Sequence, residues 1–226
     1  MTTHSGHPPV RTYKPRRGRI TNRQARGLTQ DSPYLLTPTG VLDLEALFEG
    51  LPVVLEIGFG TGITTAQMAA QEPELGFLAV DVHTPGVGDL VSRIHDEGLS
   101  NIRVIAGDAM HVLEHNLTSG SLAAVRSFFP DPWPKARHQK RRLVQPERVR
   151  LIADRVRPRG TWDLATDWSP YADHIEAVLG ASSQWYGGRV DRPHWRPVTK
   201  YESLGREQGR EISDFRYMRS DIAHTL

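Results

Sequence analysis

Five short apolar runs, spaced by glycine turns and helical stretches, constrain what this chain can fold into more than any other feature: Val53–Ile57 (VVLEI), Phe77–Val82 (FLAVDV), Ile102–Ile105 (IRVI), Ala123–Phe129 and Trp162–Thr166. Runs of this length, apolar on both faces, read as strands buried on both sides. Between them the spacing predicts helices over 64–70, 87–96 and 143–156, the last with Leu143, Val149, Ile152 and Val156 on one face and a stop at Pro158 and Gly160. Strands alternating with helices imply an α/β fold, a mostly parallel sheet covered on both faces that binds ligands where its strands end. The stretch Gln184–Arg219, richer in Trp, Tyr and Pro, is expected to add antiparallel edge strands.

At 226 residues the chain fits one domain, assigned to 34–226, preceded by an arm over 1–33. Residues 1–30 hold seven Lys/Arg and no Asp/Glu, leaving 21 basic and 26 acidic residues elsewhere. Such an arm, poor in apolar residues and carrying Pro8, Pro9 and Pro15, reads as flexible; it suits either a polyanion or a purely solubilising role. No apolar stretch approaches the roughly 20 residues that span a bilayer, and the N-terminus has charge without an apolar core. The absence of cysteine excludes disulfides and thiolate chemistry. A cytoplasmic location is expected, and the oligomeric state, monomer or homodimer, is left open.

The segment Glu56-Ile-Gly-Phe-Gly-Thr-Gly62 sets three glycines at alternate positions between strand and helix, so a ligand can approach the backbone and meet the helix N-terminus. A dinucleotide fingerprint needs its third glycine at position 63, which is isoleucine. The spacing fits instead the nucleoside loop of S-adenosylmethionine enzymes, whose ligand presents a ribose, an ammonium and a sulfonium and so calls for carboxylates. Glu56 precedes the loop, Asp81 closes the second strand 19 residues after Gly62, and Asp108 ends the third. Asp81 is placed for ribose hydroxyls and Asp108 for an adenine amine.

The fourth strand runs into FFPDPWPKARHQKRR, residues 128–142. Prolines on both sides of Asp131 fix φ and remove backbone donors, which suits a rigid presenting turn. Lys135, Arg137, Lys140, Arg141 and Arg142 follow within eight residues, an anion-binding run beside one acid. Trp133 suits either stacking on a base or anchoring the turn. The segment His111-Val-Leu-Glu-His115 matches an inverted zinc-protease pattern, but it falls where a plain helix is expected, and no metal is assigned.

With Thr199-Lys200-Tyr201-Glu202, Gly205, Gly209 and Asp214 added, the glycine loop, the PDPWPK turn and the ATDW segment resemble the bacterial tRNA (guanine-N7-)-methyltransferase family from about Tyr34 to the C-terminus. The glycine loop alone is shared by many methyltransferases; FPDPWPKxRHxKRR followed by ATDW and TKYE is specific. The resemblance implies a Rossmann-like S-adenosylmethionine-dependent methyltransferase fold, S-adenosyl-L-methionine as cofactor and tRNA as partner. Its product would be N7-methylguanosine at a variable-loop guanine. Carried onto this sequence, Glu56, Gly58, Gly60, Asp81, Asp108 and Asp131 line the donor site, and Asp131 is catalytic. Lys135, Asp167 and Thr199, Lys200, Tyr201 and Glu202 touch or close over the substrate, while Arg137, Lys140, Arg141 and Arg142 contact RNA. The family's second-strand acid is more often glutamate, and here it is Asp81.

Guanine N7 carries a lone pair and no proton, so its methylation needs no general base. Positioning then dominates, and a carboxylate can accept paired hydrogen bonds from N1–H and N2–H while leaving N7 free. About five neutralised phosphates would weaken RNA binding on the order of 100-fold over a fourfold rise in salt. The alternatives are a methyltransferase of the same fold with a non-RNA substrate, which leaves the basic run unexplained, and a non-catalytic RNA-binding relative.

Overall fold

The computed structural model describes residues 11–13, 20–29 and 32–221. In chain order the elements are α1 (Asn22–Thr29), β1 (Leu35–Leu36), α2 (Leu44–Leu47), β2 (Val53–Ile57), α3 (Ile63–Gln71), β3 (Gly76–Asp81), α4 (Thr84–Glu97), β4 (Ile102–Ala106), α5 (Ala109–His115), β5 (Leu122–Phe128), a 3₁₀ helix (Ala136–Arg141), α6 (Pro146–Arg155), β6 (Val156–Thr166), α7 (Ser169–Gly180), β7 (Trp185–Val190), α8 (Lys200–Glu207) and β8 (Ser213–Arg219). The eight strands make one sheet ordered β1-β4-β3-β2-β5-β6-β8-β7. All pair in parallel from β1 to β6, and β8 then runs antiparallel to both β6 and β7.

This order places β2 at the centre, between β3 and β5, and brings the C-terminal ends of β2 to β6 to one edge. Side chains alternate across the sheet, so the apolar runs feed two cores. Leu55, Leu78, Val80, Val125, Trp162 and Leu164 pack with α5, α6 and α7 on one face. Val54, Phe77, Ala79 and Val104 pack with α3 and α4 on the other. Burying side chains of this kind stabilises by about 1.5–3 kcal/mol each, which fixes the strands that carry the site.

The sequence reading of the five parallel strands holds, as do the antiparallel strands of the last third. Helix α6 ends at Arg155 rather than Val156, because β6 starts there and accommodates Pro158, Arg159 and Gly160 through a register shift against β5. Part of the expected arm is built into the fold: α1 lies on α4, and its Gly27 approaches so closely that a β-carbon there would sit 2.1 Å from the Gly88 carbonyl oxygen. Arg23–Asp96 and Gln24–Asp89 hydrogen bonds flank the crossing. Positions 1–10, 14–19 and 30–31 of the arm lie outside the described residues. No helix among the described residues is long and apolar enough to cross a membrane.

Candidate active site

The Glu56 side chain, one residue from the end of β2, is only 3 % exposed and meets α3 at Thr65. Burial pushes its pKa up to about 7, offset in part by the Thr65 hydroxyl and the Arg126 guanidinium, while Asp81 adds to the rise. Its Oε2 has no hydrogen-bond partner among the described residues. A buried carboxylate oxygen left in this state is costly, and functional sites are where such costs persist.

The loop beyond it turns through left-handed backbone at Gly58, Gly60 and Gly62 (φ 79°, 64° and 72°), conformations that glycine adopts without penalty. At Gly62 a β-carbon would sit 2.6 Å from that of Leu90, so packing also requires glycine. At Gly58 and Gly60 no atom of the described residues beyond the chain neighbours lies within 4 Å of that position, leaving an open cradle. Asp81 secures the loop from β3, accepting from Gly60 N–H (2.7 Å) and His83 N–H (2.8 Å). Asp108 caps α5, accepting from Met110 N–H (2.9 Å), and lines a mostly apolar cavity of about 260 Å³ beside β1. Ionised carboxylates offer about four acceptor sites, so these structural bonds leave capacity for a ligand. A buried carboxyl with an unpartnered oxygen, an open glycine cradle and two further acids fit a cofactor that presents cationic groups, a ribose and an amine.

Asp131 stands three residues beyond β5, the strand beside β2. Its turn is strained on both sides, with the bulky residues Phe129 (φ 53°) and Trp133 (φ 44°) held in the left-handed region. The surroundings hold that strain in place. Phe129 N–H donates to the Ala165 carbonyl on β6 (2.8 Å). Trp133 is 3 % exposed, with its indole N–H donating to the Thr12 carbonyl (3.0 Å), Arg141 over its ring and His138 at its edge. Of the two roles open to Trp133, the structure gives it that of anchor.

Arg142 requires a correction, because it does not belong to an RNA-facing run. Its side chain is 2 % exposed, stacks on Tyr171 and donates Nε–H to the Pro132 carbonyl (3.0 Å), while Arg148 braces the Arg142 carbonyl (2.6 Å). The 3₁₀ helix turns Lys135, Arg137 and Lys140 outward and leaves Arg141 half-buried. His111 and His115 sit on the exposed side of α5 with ring centres 4.5 Å apart, and among the described residues they join no group of three metal-ligating side chains.

Thr199 and Glu202 also differ from expectation. Thr199 is the N-cap of α8 and accepts from Glu202 N–H (3.0 Å), the capping arrangement that a T-x-x-E spacing favours. The Glu202 carboxylate is fully buried and receives Arg196 Nη1 (2.6 Å). Arg196, also fully buried, forks onto Asp214 (2.7 and 2.9 Å) and faces the rings of Phe128 and Phe129 within 6 Å. This knot ties α8, β8 and the base of the Asp131 turn together, so Thr199 and Glu202 position the segment and leave a ligand little or no exposed surface. Lys200 and Tyr201 are exposed on α8. Asp167, just past β6, pairs with Arg210 (2.6 Å) and lies against Gly205, where a β-carbon would be 3.0 Å from its own. Arg196 has no signal in the sequence; only the fold brings it to Glu202 and Asp214.

Among solved structures the chain is similar to the 16S rRNA methyltransferase KamB, with a TM-score of 0.58, 16% identity, and coverage of 80% of this chain and 94% of that one. It is similar too to a 16S rRNA (adenine(1408)-N(1))-methyltransferase from Catenulisporales acidiphilia, solved with its cosubstrate SAM, with a TM-score of 0.53, 14% identity, and coverage of 80% and 92%. The fold is that of the Rossmann-like S-adenosylmethionine-dependent methyltransferases, with the glycine cradle at the expected strand end. Residues 51–215 match the family model described as "Putative methyltransferase". The tRNA (guanine-N(7)-)-methyltransferase of Nitrosomonas europaea is 44% identical over 96% of this chain and 99% of its own length. That of Streptomyces avermitilis is 47% identical over 93% and 75%. The chain belongs to the tRNA (guanine-N(7)-)-methyltransferase family.

Proposed function

We infer that this protein transfers a methyl group from S-adenosylmethionine to N7 of a guanine in tRNA, the variable-loop guanine in our reading. The observation that carries it is the strained, buttressed turn that holds Asp131 beside the strand bearing the glycine cradle. When bound, the cofactor supplies an electrophilic methyl on a sulfonium sulfur that leaves with the bonding pair. Gly58 and Gly60 would admit it against the backbone, Glu56 would meet its ammonium, and Asp81 and Asp108 its ribose and adenine.

No residue has to remove a proton from N7, so the chain's work is orientation. Asp131 would accept N1–H and N2–H of the guanine and leave N7 facing the donor side. Its charge would also offset the positive charge that the ring gains on methylation. Arginine would suit this task less, since its fork binds O6 and N7 and would block the nucleophile. Asp167, just past β6, and Lys200 and Tyr201, on α8, would flank the guanine. Lys135, Arg137, Lys140 and Arg141 would hold phosphates, which fixes register without reading sequence.

The test is incubation of the protein with unmodified tRNA and labelled donor, followed by strand cleavage specific to N7-methylguanine. Label confined to one cleavable guanine is expected; label on another base, or none at all, would overturn the reading.

A further inference from the structure

Four side chains of alternating charge cross the sheet in register. Glu56 on β2 pairs with Arg126 on β5, Arg126 with Asp163 on β6, and Asp163 with Arg216 on β8. Paired positions share a face, with neighbouring strands about 4.8 Å apart. Arg126 is buried, its Nε–H has no hydrogen-bond partner among the described residues, and its charge is shared among its acidic neighbours. It forks onto Glu72 just past α3 (2.7 and 2.9 Å), stacks on Trp195 (3.8 Å to the ring centre), and has Glu56 and Asp163 on either side. Arg216 relieves Asp163 at the far end, donating Nε–H to it (2.6 Å). Three carboxylates therefore draw on one buried guanidinium, and the acid with an unpartnered oxygen is Glu56.

We propose that Arg126 is a positioning residue for the donor site, whose charge, after Glu72 and Asp163 have drawn on it, sets how readily Glu56 stands as an anion. The role rests on the donor-site reading above. Arg126 touches no ligand in this scheme; it acts through Glu56. The ionisable groups that bear on Glu56 are Asp81 from β3 and Arg126 from β5, with Glu72 and Asp163 reaching it through Arg126, and Thr65 of α3 adds a hydroxyl. A cationic donor favours ionised Glu56, so binding below the carboxyl's midpoint, about pH 7, expels one proton from Glu56 to solvent. Donor affinity should then fall up to about tenfold per pH unit below that midpoint.

The decisive measurement is a carbon NMR titration of the Glu56 carboxyl in the full chain without donor, for wild type, Arg126→Met, Arg126→Lys and Glu72→Gln. Arg126→Met should move the midpoint up on the order of one pH unit and Arg126→Lys should restore it. Glu72→Gln, which frees Arg126 charge, should move it down. Calorimetry with S-adenosylhomocysteine across pH should follow the same order. An unmoved midpoint in folded Arg126→Met, or the same direction of change in Arg126→Met and Glu72→Gln, would overturn the proposal. Should Arg126→Met not fold, the sign of the Glu72→Gln change decides. Failure of wild type to bind S-adenosylhomocysteine at any pH would remove the donor site itself, and the positioning role with it.

Discussion

Glu56 shows what one residue costs and supplies. Its folded pKa of about 7 lies above the ordinary 4.5, so the folded chain holds the proton more tightly than the unfolded one, and stability drops as pH rises between those values. The full drop is about 3 kcal/mol. Glu56→Gln removes that dependence: urea denaturation should find it more stable than wild type by up to about 3 kcal/mol at pH 8, with little difference near pH 4, while its donor affinity falls. Asp131→Ala is expected to behave differently, cutting turnover on the order of 100-fold or more while S-adenosylhomocysteine still binds. Near-normal turnover would remove Asp131 from its role. Sequence made both acids visible as members of a set, carboxylates that recur at successive strand ends where each alone could be a helix cap or a solubilising charge. It could not separate Arg142 from Arg141, because adjacent charges in a run say nothing about which one folds inward.

At the scale of elements, α4 packs tightly against the glycine loop. A β-carbon on Gly86, in its first turn, would lie 1.7 Å from the Gly60 carbonyl oxygen. Gly86→Ala should therefore push the loop out of place, costing about 1–3 kcal/mol in a urea melt and weakening S-adenosylhomocysteine binding more than tenfold by calorimetry; unchanged affinity would mean the loop relaxes freely. The strand–glycine–helix unit was legible because periodicity and turn chemistry agree there. The T-x-x-E spacing at the start of α8 carries a helix-cap signal that went unread, because the resemblance drew Thr199 and Glu202 toward substrate. Helix α7 carries its own start signal, with Pro170 in the first turn. What no local pattern discloses is the meeting of Arg126 with Glu56 and Asp163, or of Arg196 with Glu202 and Asp214, since sheet order and long connections make those contacts.

Across the described residues, the interior holds Arg126 and Arg196 against acids and Arg142 and Arg148 against carbonyls, while the 3₁₀ segment turns Arg137 and Lys140 outward. With Arg142 withdrawn, Lys135, Arg137, Lys140 and Arg141 are the proposed RNA contacts. Four phosphate contacts on single-stranded RNA predict that fourfold more salt weakens tRNA binding about 50-fold; filter binding across salt would measure it, and a flat response would disconnect this surface from RNA. The indole of Trp133 meets Thr12 through a main-chain oxygen, not a side chain. Residue identity at position 12 is therefore nearly free, whereas an expression design trimmed to begin at Ile20 would strip the indole of its acceptor and slacken the bend beneath Asp131, even though every residue from Tyr34 onward was left untouched.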